Sequence, residues 1–266
     1  MRLAPDRCAL IGMVHLLPLP GSPGWGGSMG PVLEAARRDA RALVDGGCDA
    51  LLVENMGDLP FLRGRVEPET VAAAALCVSA VADLGRPVGV QLLAAANREA
   101  LGVAVAAGAS FVRVEAFAYA HVADEGWLDA CAGDLLRARR ALRADVQVWA
   151  DVKKKHAAHA VTADLDLAEA ARGAAFCGAD ALIVTGARTG AVTALADVEA
   201  AREAGLPVLV GSGVTAEDAP ALARVASGLI VGTWLKEAGD WRRPVDPGKV
   251  RALRQAVDAA SRGASP

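Results

Sequence analysis

The stretch WADVKKKH (149–156) sets three lysines directly behind a short apolar run. Side chains along a strand alternate between its two faces. Val148, Ala150 and Val152 therefore share one face, and Gln147, Trp149, Asp151 and Lys153 share the other. If the apolar face packs outward, Asp151 and Lys153 enter the interior side by side, while Lys154 and Lys155 fall to loop and solvent. A lysine in a partly dry site is easily tuned for proton or imine chemistry. The same pair could instead be a structural ion bridge, and the residues alone leave both readings open.

The run FVRVEA (111–116) behaves alike, with Val112, Val114 and Ala116 on one face and Phe111, Arg113 and Glu115 on the other. Buried charges need partners, so Arg113 and Glu115 are expected near Asp151 or Lys153. LLVENMGD ends in Glu54 and Asn55, and ALIGMVHL carries His15 near its end. A lone histidine is more often structural than catalytic, but a strand tip is where α/β barrels do chemistry. The expected acids and bases are thus His15, Glu54, Glu115, Asp151 and Lys153, with Asn55 and Arg113 contacting substrate.

Two glycine loops point to an anion. VGSGVTAED (210–218) carries Gly211, Ser212 and Gly213 ahead of a helix expected to hold its acidic residues in the first turn. IVGTWLK (230–236) carries Gly232 and Thr233. Small residues let backbone amides approach a phosphate, and helix starts favour the charge; tight turns alone are the plainer reading. TGARTG (185–190) adds Thr185, Gly186 and Arg188 as substrate contacts. HAAH (156–159) has no acidic neighbour at zinc-site spacing, so no metal ligand is assigned. Mg²⁺ held by Glu54, Glu115 and Asp151 is compatible with the carboxylates but not required by their spacing.

The elements that must position these groups follow from periodicity. Strand-like runs at 9–16, 50–55, 87–93, 111–116, 146–152, 181–186, 207–213 and 228–235 alternate with helical segments. Those segments lie near 31–45, 67–84, 97–107, 127–143, 164–176, 194–204, 215–224 and 247–261. Eight units without a composition break predict one (β/α)8 barrel over 1–266, with a doubly wound open sheet as the alternative. Glycines in GGCDALLV, AGASFVRV, CGADALIV and VASGLIVG are expected to end helices ahead of the even-numbered strands. In a barrel the polar strand ends converge on one mouth, with phosphate at the last two loops. Long loops after strands one and four are expected to wall that mouth.

Composition narrows the partners. A net charge of -3 without a basic block excludes nucleic acid as a target. The five cysteines are scattered, with no C-x-x-C pair, which fits buried free thiols in a reducing cytoplasm. His15 and two prolines interrupt the early apolar stretch, arguing against a signal peptide. No run reaches the roughly 18 apolar residues of a membrane span. A homo-oligomer is expected, since enzymes of this type commonly form symmetric dimers.

MVHLLPLPGSPGWGG, LLVENMGDLPF, WADVKKKH, VTGARTG, GSGVTAED and IVGTWLKEAG together resemble the BtpA/SgcQ family over nearly the whole chain. The resemblance implies a phosphate-binding type of TIM barrel. It associates one branch with photosystem I biogenesis and another with sugar metabolism. It carries over His15, Glu54, Asn55, Asp151, Lys155, His156, Ser212, Thr233 and Lys236, and so favours Lys155 with His156 where alternation favours Lys153. Strand four departs from the pattern, with Glu115 where the family has Asn. The expected function is an enzyme acting on a small phosphorylated metabolite, a sugar phosphate or nucleotide-like compound. The alternative is a non-catalytic assembly or regulatory factor.

Overall fold

Runs of valine, isoleucine and leucine, each with a distinct inward residue at every second position, form the strands. The computed structural model describes residues 1, 3, 4, 7–154, 157–186 and 193–262. In chain order the strands are β1 (Ala9–His15), β2 (Ala50–Glu54), β3 (Val88–Gln91), β4 (Phe111–Val114), β5 (His121–Ala123) and β6 (Gly126–Leu128). β7 (Gln147–Val152), β8 (Ala157–Ala158), β9 (Ala181–Val184), β10 (Val208–Val210) and β11 (Gly228–Val231) complete them. The helices are α1 (Met29–Asp45), α2 (Pro68–Ala82), α3 (Asn97–Ala107), α4 (Ala132–Ala141), α5 (Leu167–Phe176), α6 (Leu195–Arg202), α7 (Ala219–Ala223) and α8 (Pro247–Arg262). Eight parallel strands close in the order β1-β11-β10-β9-β7-β4-β3-β2. The barrel expected from the sequence is the fold, and the open-sheet alternative is ruled out.

Alternation divides the core in two. Val112, Val148, Ala150 and Val152 join the layer between strands and helices, whereas Phe111, Trp149, Ile183 and Leu209 fill the barrel interior. Phe111 and Trp149 stack with centroids 3.7 Å apart and close the interior below the mouth. Gly89 is required here, because a Cβ at that position would stand 2.0 Å from Phe111 Cε2. The lower barrel is a packed plug, so chemistry is confined to the upper ends.

Gly47, Gly108 and Gly178 take the left-handed backbone (φ 99°, 71° and 91°) that ends a helix before a strand. Gly228 does not share this role. It opens β11, and a Cβ there would lie 3.0 Å from both Ile11 Cδ1 and Leu209 Cδ2. The helix after β10 is also shorter than expected. Thr215 Oγ1 donates to Asp218 Oδ2 (2.7 Å), and α7 starts only at Ala219. Its acidic residues therefore precede the helix instead of occupying its first turn.

The loop after β4 is an ordered wall. β5 and β6 form a hairpin, and β8, from the loop after β7, pairs antiparallel with β5. Residues 127 and 128, expected to begin a helix, belong to β6, and α4 starts at Ala132. No described helix is long and apolar enough to cross a membrane.

Candidate active site

At the C-terminal ends of the strands the inward positions turn polar. Register sets His15 beside Glu54 and Glu54 beside Gln91. Arg113 and Asp151 follow on β4 and β7. Thr185, Gly211 and Gly232 come just past the ends of β9, β10 and β11. One side of the mouth therefore carries ionisable groups, and the other carries a hydroxyl and two bare glycines.

Arg113 grips Asp151 with two hydrogen bonds, Nε to Oδ2 and Nη2 to Oδ1, both 3.0 Å. Burial pulls the Arg113 pKa down, but Asp151, with Glu54 and Glu115, more than reverses this and keeps the guanidinium charged. Glu115, one residue beyond the end of β4, accepts a hydrogen bond from Ala95 N–H (2.8 Å) through Oε2. Its Oε1 lies 3.2 Å from Lys154 Nζ, and Lys154 also reaches Glu125 Oε2 at 3.7 Å. Burial raises the Glu115 pKa, opposed chiefly by Lys154. Burial also pulls on Lys154 in the direction of the neutral amine, but Glu115 and Glu125 outweigh it and raise its pKa. The arrangement holds a fixed cation beside a buried carboxyl group whose pKa is raised.

The lysine in the mouth is thus Lys154. Lys153, which strand alternation turns inward beside Asp151, borders the same cavity but makes no ion pair among the described residues, because β7 stops at Val152. Lys153 takes a left-handed backbone (φ 52°), and its Nζ donates to the Leu165 carbonyl at the wall of a small cavity that Asp151 and Lys154 also line. Parity holds only while the backbone stays extended. Lys155, His156 and Arg188 lie outside the described residues.

Asn55 also departs from expectation. It is fully buried, and its amide is spent on Asp58 Oδ2 (2.9 Å) and on the Leu93 N–H (2.7 Å). It ties the end of β2 to the loop after β3. His15 Nε2 stands 3.6 Å from Glu54 Oε2, with the Trp241 ring edge-on at a centroid distance of 6.3 Å.

On the glycine side, Ser212 Oγ accepts the Gly186 N–H (3.3 Å), joining the loops after β9 and β10. A Cβ at Gly211 would come within 3.0 Å of Thr185 Cγ2 and 3.4 Å of Arg113 Nη2. At Gly232 a Cβ would meet the His15 ring at 2.9 Å. Gly213 needs its positive φ of 72°, and exposed Thr233 opens a 3-10 turn. The Thr185 hydroxyl is buried with no hydrogen-bond partner among the described residues.

The carboxylates do not fit a Mg²⁺ site. Asp151 is held by Arg113 and Glu115 by Lys154 and Ala95, and no described group of three acidic, histidine or cysteine side chains is arranged to hold a metal. Lys236, carried over by the family resemblance, is away from the mouth: it forms a buried pair with Asp39 (2.6 Å) under the last loop. Gln91, Glu125, His121 and Lys154 are site neighbours that sequence reasoning missed. Gln91 was findable, since the parity rule applied to VGVQ turns it inward beside Glu54. Its Oε1 is buried without a partner among the described residues.

The BtpA family model matches residues 6–259. The chain belongs to the BtpA family. It is 40% identical over 265 residues to a mitochondrial protein of Caenorhabditis elegans, covering 97% of this chain and 95% of that one. It is 39% identical over 254 residues to the photosystem I biogenesis protein BtpA of Synechocystis, covering 93% and 87%. Among solved structures, KGPDC of Streptococcus mutans superposes with a TM-score of 0.61 at 11% identity, covering 96% and 99%. Phosphoribosyl anthranilate isomerase of Thermus thermophilus gives 0.58 at 16% identity, covering 94% and 98%. At such identities these structures establish the shared barrel and nothing further.

Proposed function

We propose that this BtpA-family barrel is an enzyme acting on a small phosphorylated metabolite, a sugar phosphate or nucleotide-like compound, by general acid–base chemistry. One observation carries the reading: Arg113, Glu115 and Asp151 are buried together at the mouth, with Lys154 partly buried beside them. Desolvating four ionisable groups is costly, and a scaffold that merely binds a partner through its exterior has no use for them. Across the mouth, Ser212, Gly213, Gly232 and Thr233 would offer backbone amides to a phosphate, and Gly211, whose own N–H is bonded to the Val184 carbonyl (2.8 Å), would keep the approach clear, with the Thr185 hydroxyl at hand. Glu115 would give up a proton to the substrate with Lys154 stabilising the carboxylate left behind, while Glu54 and His15 serve the other end as an acid–base couple. The names of barrel neighbours support the substrate class, since one is a phosphoribosyl anthranilate isomerase and KGPDC has been captured with D-R5P.

The name of the Synechocystis relative motivates the other reading, an assembly factor that performs no reaction. A thermal-shift screen of sugar phosphates, nucleotides and inorganic phosphate separates the two. A ligand at one hundred times its dissociation constant adds about 2.7 kcal/mol of stability. Thr233 is exposed, so Thr233→Glu should fold normally while its carboxylate repels the phosphate. Shifts seen in wild type and lost in Thr233→Glu support the enzyme reading. Absence of any shift across the panel favours the assembly factor.

A further inference from the structure

The antiparallel sheet β6-β5-β8 joins the loop after β4 to the loop after β7, on the side of the mouth that holds Asp151 and Lys154. His121 opens β5 and is only 5% exposed. Its Nε2 has no hydrogen-bond partner among the described residues. A buried polar atom left in that condition is costly unless something else satisfies it.

The surroundings indicate what that is. His121, Asp151, Lys154 and His159 line one cavity of about 20 Å³. That volume takes a single water or hydroxyl group, and neither a phosphate nor a sugar ring. His159 is fixed, with its Nε2 2.8 Å from the Lys154 carbonyl and its ring centroid 5.4 Å from that of His121. Burial, then His159 and Lys154, push the His121 pKa down to about 4, against a weaker pull from Asp151. A neutral imidazole has one donor and one acceptor nitrogen, so either role is open to Nε2. A hydroxyl can answer both.

We propose that His121 is a ligand-positioning residue of the mouth, its Nε2 hydrogen-bonding a hydroxyl group in the cavity between the small sheet and β7. The hydroxyl comes from the carbon chain of the substrate, or from water when no substrate is bound. The substrate half of this inference rests on the phosphometabolite reading above. It adds to that reading a hydroxylated carbon on the β7 side, away from the phosphate.

Calorimetric titration of the full chain with ribose 5-phosphate and with inorganic phosphate tests it, on wild type, His121→Leu and His121→Gln. The leucine variant should bind ribose 5-phosphate roughly tenfold more weakly, as expected for one hydrogen bond, with phosphate affinity unchanged. Glutamine should restore much of the loss, and it serves as the informative variant if leucine impairs folding. Equal affinities in all three proteins, or equal weakening for both probes, would overturn the proposal. Wild type that fails to bind ribose 5-phosphate counts against the phosphometabolite reading instead. Imidazole nitrogen and proton NMR then decides the role of His121. A ring that stays neutral at pH 5 and shows contact with a long-lived water supports it; a ring that titrates above pH 6 or shows no such contact overturns it.

Discussion

Lys154 Nζ stands 3.2 Å from Glu115 Oε1, the carboxylate buried and the lysine partly so, where β4 and β7 deliver them to the mouth. The contact depends on a backbone irregularity. Had Lys153 continued the extended path of β7, Lys154 would have pointed outward. The left-handed turn at Lys153 exchanges the two lysines.

Two lysine substitutions should accordingly separate. Lys154→Met leaves Glu115 buried without its cation and should cost about 3–5 kcal/mol at neutral pH. Lys153→Met gives up one hydrogen bond to the Leu165 carbonyl and should cost about 1 kcal/mol. A carboxyl group whose folded pKa is raised contributes stability that is complete below its unfolded pKa and is lost as pH rises through the folded one. Removing Lys154 raises Glu115 further, so the Lys154→Met deficit should be larger at pH 8 than at pH 5. Urea midpoints at both values check this, and a larger deficit for Lys153→Met would reverse the assignment.

His121 gives the opposite pH dependence. Its pKa falls from 6.5 to about 4 in the folded chain. The stability linked to the neutral ring is therefore complete above pH 6.5 and is lost as pH falls through the window down to 4. The effect is on the order of 3 kcal/mol. His121→Gln has no such ring. The stability gap between wild type and this variant should shift in favour of the variant between pH 7 and pH 4.5, measured by melting midpoints. A gap that stays constant would mean that the ring titrates alike in the folded and unfolded chains.

The plug below the mouth makes a packing prediction. Gly89→Ala puts a methyl 2.0 Å from the Phe111 ring, which is itself stacked on Trp149 and has little room to retreat. Overpacking of this kind costs about 1–3 kcal/mol. Trimming the ring should recover part of it, so Gly89→Ala combined with Phe111→Leu should be less destabilised than the two separate losses added together. Strict additivity in denaturant unfolding would show that the two positions do not share the space.

The barrel was legible because each strand repeats one pattern: a branched apolar residue outward, a distinctive residue inward, and a helix after it. The same alternation read Arg113 and Asp151 correctly, and their bidentate pair is the partnership that burial demanded. It sent Lys154 to solvent because nothing in the residues marks where β7 stops. β5, β6 and β8 went unseen because runs of two or three residues carry too little periodicity to register, and His121 went with them. The structural part of Asn55 was hidden for another reason. A polar residue at a strand tip reads as ligand-facing, whereas its amide is consumed by Asp58 and Leu93, partners visible only in three dimensions.

Turnover is the direct test of acid–base catalysis at the mouth. Phosphorus and proton NMR would follow each ligand identified in the thermal-shift screen, incubated with wild type and with Glu115→Gln. Wild type should convert at least one of them to a new species. Glu115→Gln, folded but unable to give up a proton, should be slower by about a hundredfold or more, as expected for loss of a general acid. Tight binding with no conversion by wild type, or equal rates in the two proteins, would contradict acid–base catalysis at the mouth.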